Sequence, residues 1–454
     1  MKKIISIALA LLMVAVMLPV MAMADEGTTL PDPDENGVIT LDKNVVLADA
    51  VEINSDVTID LHGFSITSSN GNSGKVIIAN ANVTIKDSTG SGRIESTSAK
   101  KDSSAAIRVG TAGTDKDITV TIESGTMKGR DCGIFVAGIN SKLVVNGGHI
   151  EGTNGFGVSG NGSVEEGTGT PKCGPTTITI NGGKIIGGGT GIYHPQVGKL
   201  TINNGEITGK TGVEIRAGEL IVNGGTITAT GDPTSTDPNG NGTTTVGAAV
   251  AIAQHTTKKN IAVTINGGTF TGKAALLESN PQNNGTEYTK NISVNVSGGT
   301  FNGAVNKAND GSSLGVMGGT FNTDVTDYVH ASPTVKDNNG KYYVGNTAKN
   351  AVENAESGSF EVLAASEGEA LNVKPGVTIV NNSDVTIKVN DKEVPKNASY
   401  TVPGAPIIIY NPTEDTPKAN DQKNPSTGAN DFVGVAAAMA VVSLLGAAAV
   451  IRKK

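Results

Sequence analysis

The side chains that most often carry catalysis or hold metal ions are few in this sequence and widely spaced. The chain has five histidines, and no two of them have the spacing of metal ligands. They are His62, His149, His194, His255 and His330. The motif Arg130-Asp131-Cys132-Gly133 offers one carboxylate, whereas glycoside hydrolysis uses two. These residue types predict no catalytic residue, no metal and no cofactor.

A segment near the C-terminus has the features of a protease recognition site. It reads Asn424-Pro425-Ser426-Thr427-Gly428, and the proline favours an extended backbone that a protease-like cleft can grip. Residues 432–451 then form an uncharged run of about 20 residues, enough to cross a hydrocarbon core roughly 30 Å thick. The basic residues at 452–454 favour the cytoplasmic side of the membrane.

This order of pentapeptide, hydrophobic segment and basic tail resembles the cell-wall sorting signal of sortase-anchored Gram-positive surface proteins. Those proteins usually have Leu where this chain has Asn424. The resemblance implies that a sortase cysteine cleaves between Thr427 and Gly428 and passes the Thr427 carbonyl to a peptidoglycan amine. Sortase and peptidoglycan are then the expected partners, with residues 432–451 holding the precursor in the membrane. The alternative is a plain C-terminal membrane anchor.

The N-terminus has the pattern of a secretory signal peptide. Lys2 and Lys3 precede an apolar run, and Ala22-Met23-Ala24 matches an A-x-A cleavage site. We therefore expect residues 1–24 to be removed and the remaining chain to be exported to the cell wall or cell surface.

The two cysteines, Cys132 and Cys173, then belong to an exported chain, where an even number permits a disulfide. If they lie on adjacent structural repeats, a bridge between them would pin the loop before residue 176. Two free thiols are the alternative.

Composition excludes some classes of protein. The 454 residues carry a net charge of −8 without a long basic run, so nucleic acid is not an expected partner. Glycine is abundant, at 60 residues, but clusters of Val, Ile and Thr and an apolar content of 37% argue against disorder.

Most of the chain follows a repeat that is clearest at residues 262–272, which read A-V-T-I-N-G-G-T-F-T-G. The second glycine of each copy, or its equivalent, marks the spacing. These glycines are Gly125, Gly148, Gly183, Gly205, Gly225, Gly268, Gly299 and Gly319. The shortest intervals give a period of about 20 to 23 residues, and each period contains three short strand-like pieces.

The best partner for each strand is its equivalent one period away, stacked at about 4.8 Å. The sequence therefore predicts an all-β, right-handed parallel β-helix solenoid with three strands per coil, over residues 25–328 including an N-terminal cap. The inward positions of the first strand are β-branched or Leu. They are Val120, Ile122, Leu143, Val145, Ile178, Ile180, Leu200, Ile202, Leu220, Val222, Val263, Ile265, Val294 and Val296.

An asparagine ends the first strand in successive copies, because Asn suits a tight corner and its amide can bond to the same amide in adjacent coils. These residues are Asn146, Asn181, Asn203, Asn223 and Asn266. They resemble the asparagine ladder of right-handed parallel β-helices, which implies a structural role.

The outward positions of the first strand form a flat, uncharged candidate binding face. They include Thr121, Thr179, Thr201, Ile221 and Thr264. Insertions at about 160–176 and 280–290 are expected to overhang this face, and a third lies at 231–245. Glu214 and Arg216 are expected to form a surface ion pair on a third strand.

Downstream of the repeats, residues 329–410 predict a small β-rich module with one short helix at about 347–356 and hairpins at Asn339-Gly340 and Asn390-Asp391. Residues 411–430 predict a flexible spacer that contains the pentapeptide. Residues 431–454 predict a membrane-spanning anchor helix and a basic tail.

The architecture resembles that of pectate lyases and polygalacturonases. These lyases share carboxylates that bind Ca²⁺ and a basic residue on the face of the first strand. Here the outward positions of the first strand carry neither an acid nor an arginine. We therefore expect a surface display protein, adhesin-like or binding a glycan or host-surface ligand. A wall-attached carbohydrate-active enzyme and a structural spacer of the envelope are the alternatives.

Overall fold

The computed structural model describes residues 28–69, 74–99, 104–233 and 246–404. The expected signal peptide, most of the insertion at 231–245, the spacer, the sorting pentapeptide and the hydrophobic tail lie outside these ranges. Within them, no helix has both the length and the apolar character needed to cross a bilayer.

From residue 38 to residue 229, each strand pairs in parallel with the strand three places further along the chain, and from there to residue 321 with the strand two places further. Val120, for example, lies opposite Val83 on one side and Leu143 on the other. The same pairing repeats along all three strand positions of a coil, so the chain winds into a parallel β-solenoid with three strands per coil.

The strands of the three faces have these bounds. The first face contains Val38–Thr40, Val57–Asp60, Val83–Lys86, Thr119–Ile122, Lys142–Val145, Thr176–Ile180, Gly198–Ile202, Gly218–Val222, Ile261–Ile265, Ile292–Val296 and Ser313–Val316. The second contains Val45–Leu47, Ser65–Ser68, Arg93–Ser96, Thr126–Gly129, His149–Gly152, Lys184–Gly187, Glu206–Gly209, Thr226–Ala229 and Gly319–Phe321. The third contains Val51–Ile53, Lys75–Ala79, Ala105–Val109, Cys132–Val136, Phe156–Ser159, Thr190–His194, Thr211–Ile215 and Ala248–Ala253.

In two coils the second and third strands merge. Thr269–Ser279 and Thr300–Lys307 each run through both faces, with register irregularities between Thr271 and Leu276 where the corner would be. Three phenylalanines stack inside this part of the solenoid, with Phe270 and Phe321 each 4.7 Å from Phe301 between ring centroids.

The predicted inward positions fill the core. All fourteen are at most 1% exposed, because alternate residues of a strand point to the same side and these are apolar. The prediction of parallel strands with this alternation is confirmed. The solenoid also starts earlier than the repeats suggest, since Val38–Thr40 already pairs in register with Val57–Asp60.

The corner after the first-face strand Lys142–Val145 requires glycine for two different reasons. Gly148 has φ +81°, a conformation that L side chains rarely adopt. A Cβ on the preceding residue, Gly147, would lie 2.5 Å from the carbonyl oxygen of Glu123 in the coil below. Close stacking of coils at this corner therefore depends on the Gly pair.

Coil length varies because loops are inserted between strands. Thr201 and Ile221 are register partners 20 residues apart, whereas the next partners, Ile221 and Thr264, are 43 apart. One insertion contains the short helix Thr286–Thr289.

After the last coil the chain forms a small module with its own core. Tyr342–Val344 pairs antiparallel with Gly319–Phe321, so the module covers the end of the solenoid. Its other elements are the 3₁₀ turn Thr326–Tyr328, the helix Asn346–Asn354, and the strands Thr334–Asp337, Gly358–Ala364, Ala370–Leu371, Val377–Asn381, Ile387–Val389, Lys392–Val394 and Ser399–Thr401. Both predicted hairpins and the short helix are present.

Candidate functional site

The predicted outward residues of the first face stand in one column. Thr179, Thr201, Ile221 and Thr264 are successive register partners, and Thr121 joins them through Val144. All are partly exposed. At about 4.8 Å between strands, these side chains form a flat, uncharged strip that we call the Thr column.

Charged side chains border the Thr column on one side. Lys199 and Glu219, register partners two residues before the column, form an ion pair at 3.7 Å. Lys142 pairs with Asp117 at 2.7 Å. Because these cations already have acidic partners, the border offers little net charge to a ligand.

The Asn ladder borders the column on the other side. Each asparagine donates its Nδ2 to the Oδ1 of the asparagine one coil earlier. The distances are 2.9 Å from Asn181 to Asn146, 2.8 Å from Asn203 to Asn181, 2.8 Å from Asn223 to Asn203 and 2.9 Å from Asn266 to Asn223. Glu123 Oε1 accepts from Asn146 at 2.9 Å, and Ser297 Oγ donates to Asn266 at 2.9 Å, so an acceptor and a donor end the row.

The insertions at 160–176 and 280–290 both contact residues 254–259, at the corner between the third and first faces. The backbone oxygen of Gly169 accepts a hydrogen bond from Lys259 Nζ at 3.2 Å. Asn284 Nδ2 donates to Gln254 Oε1 at 3.0 Å, and Lys258 Nζ lies 4.2 Å from the centre of the Tyr288 ring. The described loops thus bond to one another along this corner.

Glu214 and Arg216 do not lie on the surface as the sequence predicts, because both side chains are fully buried. Arg216 Nη1 donates to the hydroxyl of Tyr193 at 3.0 Å, and its Nε donates to the backbone oxygen of Ala253 at 3.2 Å. The Tyr193 ring stacks on Phe156 at 4.9 Å. An outward position on a strand is therefore not always an exposed one in this solenoid.

The disulfide between Cys132 and Cys173 is also absent, and both are free, buried thiols. Cys132 is the first residue of a third-face strand. Cys173 lies near the far end of that strand, because Pro175, two residues after Cys173, accepts a backbone hydrogen bond from Asn140, which lies beyond the end of the strand. A strand of this length rises about 16 Å, and a disulfide requires Cα atoms within about 7 Å. Their spacing in the sequence predicts adjacent coils, but the two cysteines occupy different corners of the solenoid.

A second set of threonines was not identified from the sequence. On the second face, Thr226 and Thr228 are register partners of Thr269 and Thr271, and Thr269 pairs in turn with Thr300. These residues form a grid of two adjacent columns that we call the Thr grid. The signal that would have found it is the T-x-T pattern directly after the corner glycines.

Asp87 and His194 are two ionisable side chains that the fold buries. Asp87 accepts backbone N–H bonds from Gly92 at 2.6 Å and Gly63 at 2.8 Å. Burial lowers the pKa of His194 to about 4, so its fully buried ring is neutral at ordinary pH. Within the described ranges, no cluster of His, Cys, Asp and Glu is arranged to hold a metal ion.

A shallow polar groove of about 420 Å³ lies at the corner between the second and third faces. Its lining includes Glu95, Lys128, Arg130, Thr153 and Asn154. Lys128 already pairs with Glu151 at 3.8 Å. The groove is remote from the Thr column, because the column lies on the first face and the groove lies at the corner opposite that face.

The predicted sorting signal, Asn424-Pro425-Ser426-Thr427-Gly428, lies outside the described residues. Comparison of the chain with protein-family models, with curated proteins and with solved structures finds no match.

Proposed function

We propose that this chain is an exported, cell-wall-anchored display protein that binds glycans through its threonine-bearing faces. In this proposal the solenoid is right-handed and holds the binding surface away from the wall. The signal peptide directs export, and the precursor is held in the membrane by a helix over residues 432–451. Sortase then joins Thr427 to peptidoglycan.

The support for anchoring comes from the order of segments in the sequence. A secretory signal at residues 1–24 and a sorting-like motif before an apolar run and basic tail are what a wall-attached precursor needs. The polar, proline-containing residues 411–423 supply a spacer between module and wall.

The observation that carries the binding proposal is the alignment of threonines on two faces of one rigid array. Thr hydroxyls donate and accept hydrogen bonds, and their fixed β-branched side chains lose little entropy on binding. The absence of net charge on the Thr column favours a neutral, hydroxyl-rich ligand over a charged one. A polysaccharide with repeated hydroxyls matches repeated coils.

Anchoring is tested by the substitution Thr427→Ala in the full chain. We expect the variant to accumulate in the membrane fraction, whereas the control Thr416→Ala in the same polar region should remain linked to peptidoglycan. Wall linkage of Thr427→Ala at the level of the natural chain would refute sortase attachment at this bond.

Binding is tested with a chain that ends at residue 410, on a panel of neutral and acidic glycans and host-matrix proteins. Thr201→Lys should abolish binding if the Thr column is the site, and Thr228→Lys should do so if the Thr grid is. Lys184→Thr, at an exposed second-face position, is the control. Binding of no glycan would leave the spacer function instead, and release of sugar products would favour the enzyme.

A further inference from the structure

Asn-Gly dipeptides are frequent in the described part of the chain, and they are chemically labile. Glycine leaves the backbone nitrogen after an asparagine unhindered and mobile, so that nitrogen can attack the side-chain amide carbon. The asparagines concerned are Asn36, Asn146, Asn154, Asn161, Asn181, Asn204, Asn223, Asn266, Asn284, Asn302 and Asn339.

Four of these asparagines belong to the Asn ladder, where each side-chain amide both donates and accepts a hydrogen bond. The amide of Asn181, for example, donates to Asn146 at 2.9 Å and accepts from Asn203 at 2.8 Å. At Asn146 and Asn266 the attacking nitrogen is engaged as well, because Gly147 and Gly267 donate to backbone oxygens at 3.3 and 3.4 Å. Attack requires the amide to rotate out of these bonds.

Five of the other pairs are held in different ways. The N–H groups of Gly37, Gly303 and Gly340 donate hydrogen bonds, to Asp34, Asn322 and Asp337. The amide oxygen of Asn161 accepts from Ser163, and Asn284 is buried with its amide bonded to Gln254 and His255.

Two pairs lack both restraints. Asn154 and Asn204 are exposed, and neither side-chain amide makes a hydrogen bond within the described residues. The N–H groups of Gly155 and Gly205 likewise donate to no backbone oxygen there. Asn204 takes the place of the first glycine of the corner pair, next to Asn203 in the ladder, so its amide lies outside the row.

We propose that Asn154 and Asn204 are the sites at which this protein deamidates, and that the Asn ladder protects its own members. At Asn204, the Gly205 nitrogen loses its proton to base in solvent and forms a bond to Cγ. The Cγ–Nδ2 bond breaks and ammonia leaves, which gives a five-membered succinimide. Water then adds to either carbonyl carbon and opens the ring to aspartate or isoaspartate.

The reaction at Asn204 has a structural consequence. Isoaspartate adds the side-chain methylene to the main chain, which lengthens the backbone at a corner where adjacent coils are closely stacked. Isoaspartate at position 204 therefore displaces the adjacent Asn203 and weakens the ladder at its centre.

The experiment incubates the full chain, folded, in mildly alkaline buffer and follows each Asn-Gly peptide by mass spectrometry. We expect Asn154 and Asn204 to convert about 10- to 100-fold faster than Asn181 and Asn223, the effect of two amide hydrogen bonds. In urea the rates should become similar. Equal rates in the folded chain, or differences that persist in urea, would overturn the proposal.

Two substitutions test the protection directly. Ser297→Ala, at an exposed position, removes the donor to Asn266 and should raise the conversion rate of Asn266 several-fold while Asn181 stays unchanged. Asn204→Gly restores the Gly pair seen at other corners and should leave Asn154 as the main site. An unchanged rate at Asn266 in the Ser297→Ala chain would overturn protection by the ladder. The far-UV circular dichroism of each variant verifies its fold.

Discussion

Replacing Asn203 with aspartate should reveal that the ladder has a fixed direction. Asn203 donates to Asn181 and accepts from Asn223, both at 2.8 Å. Aspartate keeps the acceptor but loses the donor, so a carboxylate oxygen would face the Oδ1 of Asn181. Rotating the Asn181 amide brings no relief, because its oxygen would then face that of Asn146.

The magnitude follows from the count of bonds. Asn203→Ala loses two hydrogen bonds whose partners are open to water, so we expect a loss of about 1 to 2 kcal/mol in the free energy of unfolding. Asn203→Asp should cost more at neutral pH, about 2 to 3 kcal/mol, because one bond becomes a repulsive contact. Protonation would restore a donor, so folding raises the pKa of the introduced carboxyl. Its destabilisation should shrink as the pH falls through that raised value.

The assay is urea unfolding followed by far-UV circular dichroism, since the chain has no tryptophan. Asn204→Asp introduces the same charge one residue away, where the side chain makes no hydrogen bond, and should change stability by less than about 0.5 kcal/mol. If Asn203→Asp and Asn204→Asp unfold alike, or the cost of Asn203→Asp does not depend on pH, the argument for a directional ladder is wrong.

Three further predictions concern the core, a corner and the thiols. Phe301→Ala should destabilise the solenoid by about 3 to 5 kcal/mol in the same assay, because the ring is fully buried in a stack. Burial alone would raise the pKa of Asp87, but the backbone N–H donors outweigh burial and lower that pKa. The stabilising effect of the ionised carboxylate should therefore be lost as the pH falls below the ordinary pKa of 3.8. Asp87→Asn should reduce the slope of stability against pH in this acidic range. Burial raises the pKa of Cys173 to about 11 and raises that of Cys132 well above its ordinary value, so both thiols should react with a thiol reagent only after unfolding. Rapid reaction in the folded chain would contradict their burial.

The local repeat carried most of the information about the scaffold. Inward residues such as Ile178 and Leu200 could be assigned because the alternation that directs them into the core is visible within a few adjacent residues of one strand. The ladder could be assigned for the same reason, since it needs only one asparagine at the same place in each copy.

What the sequence could not supply is which part of the chain covers which face. Lys259 contacts Gly169 across 90 residues, and no local pattern encodes that contact. The separation of the two cysteines depends on a loop position of this kind, and the buried Arg216 bonds to Tyr193 and Ala253 in neighbouring coils. The Thr grid, by contrast, is encoded locally, by the T-x-T pattern directly after the corner glycines.

The direction of the ladder gives the solenoid an electrostatic axis. Every amide in the row points its N–H toward the N-terminal coils, so the individual dipoles add instead of cancelling, as peptide dipoles do in a helix. Their positive end meets the carboxylate of Glu123, and their negative end meets the hydroxyl of Ser297. Charge introduced at opposite ends of this edge should therefore differ in its effect on stability, although the local contacts of each coil are nearly the same.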